Sequence, residues 1–65
     1  METYIARDEN EELFLYLGKP HKDDKNGVWV GENDTNYMEL GKDCFKSVRW
    51  SDKEPRRVNI MMPAN

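Results

Sequence analysis

The longest apolar run in this chain is Leu13-Phe14-Leu15-Tyr16-Leu17, five residues, and every other run ends within three. Between the runs stand Gly, Pro, Asn and Asp. Short apolar segments cut by turn formers predict several short strands rather than helices. No stretch is long enough to be the crossover helix that parallel strands require, so the strands should pair antiparallel.

The fold class expected is therefore mostly β: a small antiparallel sheet of five or six short strands, curled or sandwich-like. At most one short helical turn is allowed, near residues 42–47, since so short a segment is no stable helix alone. Thr3 to Arg7 and Leu13 to Leu17 form a hairpin about the polar turn Asp8-Glu9-Asn10-Glu11-Glu12. In the second of these runs Leu13, Leu15 and Leu17 face one way and Phe14 and Tyr16 the other. A strand apolar on both faces belongs in the middle of a covered sheet. Gly18-Lys19-Pro20 stops it, because proline has no amide to continue a central ladder. His21 to Lys25 is a polar excursion, and Asn26-Gly27 is a turn whose residues accept positive φ. Val28-Trp29-Val30, Tyr37 to Leu40, Val48-Arg49-Trp50 and Arg56 to Met61 supply the remaining strands. Met62-Pro63-Ala64-Asn65 should fray.

A chain of 65 residues allows one domain, spanning 1–65, with a thin core. The expected core is Ile5, Leu13, Leu15, Leu17, Val28, Val30, Met38, Leu40, Phe45, Val48, Trp50, Val58 and Ile60. So small a core often leans on a disulfide, a metal or a partner. Cys44 is the only cysteine, so no disulfide can form within the chain. His21 and Cys44 are the only soft ligands, and a structural zinc wants four, so no metal is expected. A partner chain or a second copy is the staple left open, and pairing of exposed strand edges is the route to it. The free thiol and the absence of a basic, apolar leader at Met1-Glu2-Thr3-Tyr4 predict a cytoplasmic protein.

Charge is unevenly spread. Residues 1–41 hold ten acids against four bases, a charge of −6, and residues 42–65 hold six bases against three acids, +3. In a small sheet distant segments interleave, and these charges are expected to mix on a solvated surface.

Catalysis finds little support. General acid–base work needs a carboxylate shifted by burial or by a like charge. Asp8, Glu9, Glu11 and Glu12 lie in a turn, where water should keep them ordinary, and Asp23-Asp24 lies in a lysine-rich loop. A calcium loop built around Gly27 would place Lys22 and Asn33 where ligating carboxylates belong, which excludes it. Cys44 and His21 are the one candidate nucleophile–base pair. Cys44 adjoins Phe45 in a segment expected to pack inward, where a free cysteine behaves as a small hydrophobe. The four glycines are isolated turn residues, not a phosphate-binding loop. No enzymatic activity, cofactor, small-molecule substrate or membrane association is expected.

Binding is better supported. If Val28 and Val30 face the core, Trp29 is exposed on the second face with Phe14, Tyr16 and Tyr37; if instead the sheet curls, both faces are buried. Such an aromatic group suits a protein interface, where Trp and Tyr dominate the energetics. The alternative is nucleic-acid binding through Arg49, Trp50, Arg56 and Arg57, an aromatic platform beside basic groups. The acidic pI, near 5.0, weighs against it.

Tyr4-Ile5-Ala6-Arg7-Asp8, Leu13-Phe14-Leu15-Tyr16, Lys19-Pro20, Phe45, Val48-x-Trp50 and Glu54-Pro55 together resemble a group of very short uncharacterised proteins from phage, prophage and gut-anaerobe genomes. The resemblance spans most of the chain, and its motifs are strands and turns, so it carries over no functional residue. The polar loop His21 to Asn26 is longer here. The resemblance implies a phage or mobile-element accessory protein that acts by binding another macromolecule.

Overall fold

The computed structural model describes residues 2–32 and 36–59. Its strands are β1 (Glu2–Arg7), β2 (Leu13–Tyr16), β3 (His21–Asp23), β4 (Val28–Val30), β5 (Tyr37–Leu40) and β6 (Arg56–Asn59). Four of them form an antiparallel sheet in the order β5-β2-β1-β6, and β3 and β4 form a separate antiparallel hairpin. The mostly β, antiparallel architecture expected from the short apolar runs is observed, and the described residues contain no helix. β2 is interior, as its two apolar faces require.

Strand alternation divides the large sheet into two faces. Thr3, Ile5 and Arg7 of β1 share one face with Leu13, Leu15, Met38, Leu40, Arg56 and Val58. Ile5, Leu13 and Val48 are buried there, with Leu15, Leu40 and Val58 packed around them. Each fully buried side chain of this size contributes roughly 1.5–3 kcal/mol. The other face carries Tyr4, Ala6, Phe14, Tyr16, Tyr37, Glu39 and Arg57. There Ala6, Tyr16 and Trp29 are buried, flanked by Phe14 and Trp50, so the β3–β4 hairpin serves as the lid.

The turns follow their residues. In the β1–β2 turn Asp8 N–H donates to the Glu12 carbonyl at 2.8 Å and Glu11 takes a left-handed φ of 76°. Gly27, at φ 70°, closes the β3–β4 turn against the Asp23 carbonyl, and its own carbonyl accepts from Glu9 N–H at 3.0 Å. A Cβ on Gly27 would come within 2.8 Å of the Glu9 carboxylate. Glycine here satisfies both the turn and the close approach of the two hairpins.

Several sequence expectations are corrected. His21–Asp23 is a strand and not a loose excursion, because it pairs His21↔Val30, Lys22↔Trp29 and Asp23↔Val28. Val48-Arg49-Trp50 is not a strand. It belongs to the turn-rich connection 41–55, and Val48 and Trp50 enter different core clusters. What holds this connection is Arg7, on the inward face in register with Ile5. Its guanidinium donates to the carbonyls of Val48 (2.7 Å), Glu11 (2.8 Å), Cys44 (2.9 Å), Lys42 (3.1 Å) and Phe45 (3.3 Å).

With those carbonyls drawn inward, Phe45 takes φ 49° and points out, 51% exposed, so Val48 is the anchor in its place. No helical turn forms in 42–47, only two successive tight turns. Cys44 is exposed, not inward. Met38, expected in the core, is exposed on the edge strand β5, and Leu17, expected there too, lies just past the end of β2 and is exposed. Trp29 is buried and Val30 exposed, the reverse of the expected faces. Ile60, the end of the last strand at Met61, and the expected frayed segment Met62 to Asn65 lie outside the described residues.

Candidate functional site

Phe14 and Tyr16 project from the same face of β2, and Tyr37 of β5 lies directly across from Tyr16. Their ring centroids are separated by 5.8 Å (Phe14–Tyr37), 6.1 Å (Tyr16–Tyr37) and 6.4 Å (Phe14–Tyr16). All three spacings lie within the range of favourable aromatic contact. With Trp29, Asp8 and the β4 end at Val30 and Gly31, these rings enclose an open cavity of about 330 Å³. That volume is at the lower end of ligand and side-chain pockets, roughly 300–1,000 Å³. The four aromatic residues singled out in the sequence thus line one cavity.

The floor of the cavity is hydrogen-bonded on every side of Trp29. Its backbone N–H donates to Asp8 Oδ1 at 2.9 Å, and its indole N–H donates to the Arg7 carbonyl at 3.1 Å. The Tyr16 hydroxyl donates to the Trp29 carbonyl at 3.3 Å. These bonds explain why Trp29, and not the flanking valines, is the buried residue of β4. Its indole brings more apolar area than a valine, and its one polar group finds an acceptor. Only 6% of Trp29 remains exposed, whereas Tyr37 at the rim is 66% exposed. The site therefore has a fixed floor and an accessible rim.

Asp8 is the charged group of the cavity. Sequence reasoning left it among the solvated turn carboxylates, but it is buried. Burial pushes its carboxyl above the usual carboxylate range, the Trp29 N–H bond opposes that shift, and the charge of Glu12 adds to it. The Tyr16 phenol is also pushed well above its ordinary value, first by burial, then by the charges of Asp8 and Tyr37. The neutral phenol is thus the stable form beside a carboxylate.

Behind Trp29 stands Trp50, edge-to-face at 6.5 Å. The Lys22 ammonium lies 4.2 Å from the Trp50 ring centroid and 5.7 Å from that of Trp29. It also donates to the carbonyls of Trp50 and of Asp52, the latter at 3.1 Å. Lys22 thereby pins the 50–52 segment to the hairpin.

The other residues singled out are placed apart. Arg56 donates to Ser47 Oγ at 2.6 Å, and Arg57, on the opposite face of β6, pairs with Glu2 at 3.1 Å. Arg49 lines a hollow with Arg7, Lys42 and Lys46, among which Glu11 and Asp43 are interspersed. Trp50 lies under Lys22 and not beside these arginines. His21 opens β3 of the lid hairpin and is exposed, while the Cys44 segment is bound to Arg7 on the other face of the large sheet, so the structure does not bring the two together. Among the described residues no group of three or more His, Cys, Asp or Glu is arranged to hold a metal ion. Nor is any helix long and apolar enough to cross a membrane.

Arg7, Asp8 and Lys22 are the residues that sequence reasoning missed. For Arg7 a signal existed, since Thr3, Ile5 and Arg7 alternate onto one strand face. For Asp8 none did, because it stands in a run of acids that look alike. Comparison with protein-family models, curated proteins and solved structures finds no match to this chain.

Proposed function

We propose that this protein is a small non-enzymatic interaction module that binds a protein partner by admitting one of its side chains into the Phe14–Tyr16–Tyr37 cavity. The observation that carries this reading is the cavity itself: three rings within 6.4 Å of one another over a hydrogen-bonded Trp29 floor. Leaving Tyr37 two-thirds exposed forgoes burial that a small core needs, which is sensible where a partner supplies it. The exposed thiol of Cys44 fits action in the reducing cytoplasm. The phage or mobile-element context implied by the resemblance fits a binding accessory of this size.

Selection from a displayed peptide library tests this reading. Enriched peptides should lose at least about tenfold in affinity for the Tyr37→Ala or Phe14→Ala variant, the loss typical of a buried aromatic anchor. They should bind Met38→Ala, altered on the opposite face, like the wild type. No enrichment, or enrichment insensitive to Tyr37 and Phe14, contradicts it.

A second reading, self-association through β5, rests on the contrast between the sheet's two edges. β6 carries adjacent arginines, Arg56 and Arg57, which discourage edge pairing. β5 carries Tyr37 and Met38, exposed by 66% and 57%, next to exposed Leu17. Among the described residues no strand pairs with its outer side. A second copy related by a two-fold axis would join β5 to β5 and extend the sheet.

A further inference from the structure

We infer that the cavity is built for a methylated lysine side chain of the partner protein; this deepens the proposed function and rests on it. Aromatic ring faces attract cations through their quadrupole, and the attraction grows when the cation is desolvated. Here Phe14, Tyr16, Tyr37 and Trp29 line one cavity, and the buried carboxyl group of Asp8 forms part of its wall. Glu39 stands on the same sheet face, directly across from Phe14. The one charged residue that lines the cavity, Asp8, is acidic. A cation is the complement of that field.

Lys22 shows what an unmethylated ammonium requires in this protein. It is held by the ring faces of Trp50 and Trp29 together with two main-chain carbonyls, because its N–H groups must replace the water they lose. The cavity is made differently. Its lining residues are four aromatics, two valines, a glycine and Asp8, whose Oδ1 already accepts from Trp29 N–H. A group with little or no N–H to satisfy, and with methyl groups to pack against rings, matches that wall better than a primary ammonium. A trimethylammonium on a flexible stem also enters through an open rim, where Tyr37 is exposed.

The test uses the whole chain and two capped tripeptides. One carries trimethyl-lysine at its centre. The other carries its neutral isostere, with a tert-butyl carbon in place of the nitrogen. Affinity is read from proton–nitrogen correlation spectra and tryptophan fluorescence. The trimethyl-lysine peptide should bind at least about tenfold tighter than the isostere, with shifts centred on Phe14, Trp29 and Tyr37. Tyr37→Leu keeps apolar bulk but removes a ring face, and should remove most of that preference. Asp8→Asn keeps the Trp29 hydrogen bond and should weaken the cation several-fold while leaving the isostere unchanged. Tyr37 is exposed, so its variant reports binding even if Asp8→Asn perturbs the fold. Equal binding of the two peptides overturns this inference but leaves the proposed function standing, since the cavity would still take a side chain. Binding of free tetramethylammonium without the peptide overturns the assignment to a polypeptide partner. Failure of both peptides to bind overturns the inference outright, and the displayed-library experiment then decides the fate of the broader reading.

Discussion

Arg7 Nε donates to the main-chain carbonyl of Val48 at 2.7 Å, across 41 residues of chain. The rest of the guanidinium reaches the carbonyls of Glu11, Lys42, Cys44 and Phe45. One side chain thus supplies the hydrogen bonds that a strand or helix would have supplied to the 42–48 segment. A planar cation with five fixed donors can do this, and a lysine cannot.

Arg7→Lys is expected to lower stability by roughly 2–3 kcal/mol and Arg7→Ala by more, since each leaves inward-facing carbonyls without a donor. A domain of this length has a total stability of only about 3–10 kcal/mol. Arg7→Ala should therefore lose a large share of its total stability. Urea denaturation of both variants checks this, and a wild-type midpoint for Arg7→Lys contradicts the role assigned to the guanidinium.

Asp8 carries a sign that urea titrations at several pH values will read. Its carboxyl holds a proton more tightly in the folded chain than in the unfolded one, because burial raises it. Its ionisation therefore costs stability as pH rises from the unfolded value of 3.8 through the folded one. Asp8→Asn does not titrate and retains an acceptor for Trp29 N–H. The stability of Asp8→Asn relative to wild type should accordingly rise between pH 3 and neutrality and then stay level. A difference independent of pH contradicts the burial of this carboxylate.

Tyr16 gives the corresponding test in alkali. Its phenol is raised in the folded state, so only the unfolded chain ionises near the ordinary value of 10.0. Wild-type stability should fall as pH climbs above that value. Tyr16→Phe should lose about 1 kcal/mol at neutral pH with the hydrogen bond to Trp29, and should show a shallower alkaline decline. Urea midpoints between pH 8 and 11 separate the two chains. Parallel declines contradict the account.

The β5 edge makes a prediction about mass. If two copies join there, light scattering after size exclusion should show a dimer at high concentration. Met38→Lys should return it to a monomer, because a charge on an edge strand disfavours pairing. A wild-type monomer at all concentrations removes the second reading and leaves the cavity reading untouched.

How far the fold was legible in the sequence differs by element. β1, β2, β4 and β5 are marked by apolar alternation between turn formers, and Gly27 marks its own turn. β3 is not, because His21-Lys22-Asp23 has no apolar member. Only pairing across Asn26-Gly27 makes it a strand. In Val28-Trp29-Val30 alternation separates the tryptophan from the valines but does not say which side is covered. That depends on acceptors at Arg7 and Asp8, some twenty positions away. Val48 and Trp50 look like one strand face because they are two apart, yet a connection held by Arg7 sends them into different clusters. Alternation put Phe14 and Tyr16 on one face of β2, but Tyr37 joins them through the β2–β5 register and Trp29 through the separate β3–β4 hairpin, buried and not exposed as expected. The carboxyl group in the cavity wall, that of Asp8, was not recognisable.

The most direct test of the central claim, that this cavity admits a methylated lysine of a partner protein, is chemical-shift mapping with the trimethyl-lysine peptide. Saturable shifts of the Trp29 indole N–H and of the Phe14 and Tyr37 rings, with Leu40 and Val58 on the opposite face unmoved, are the predicted result. Shifts confined to the Lys42–Arg49 side, or none at any peptide concentration, would contradict it.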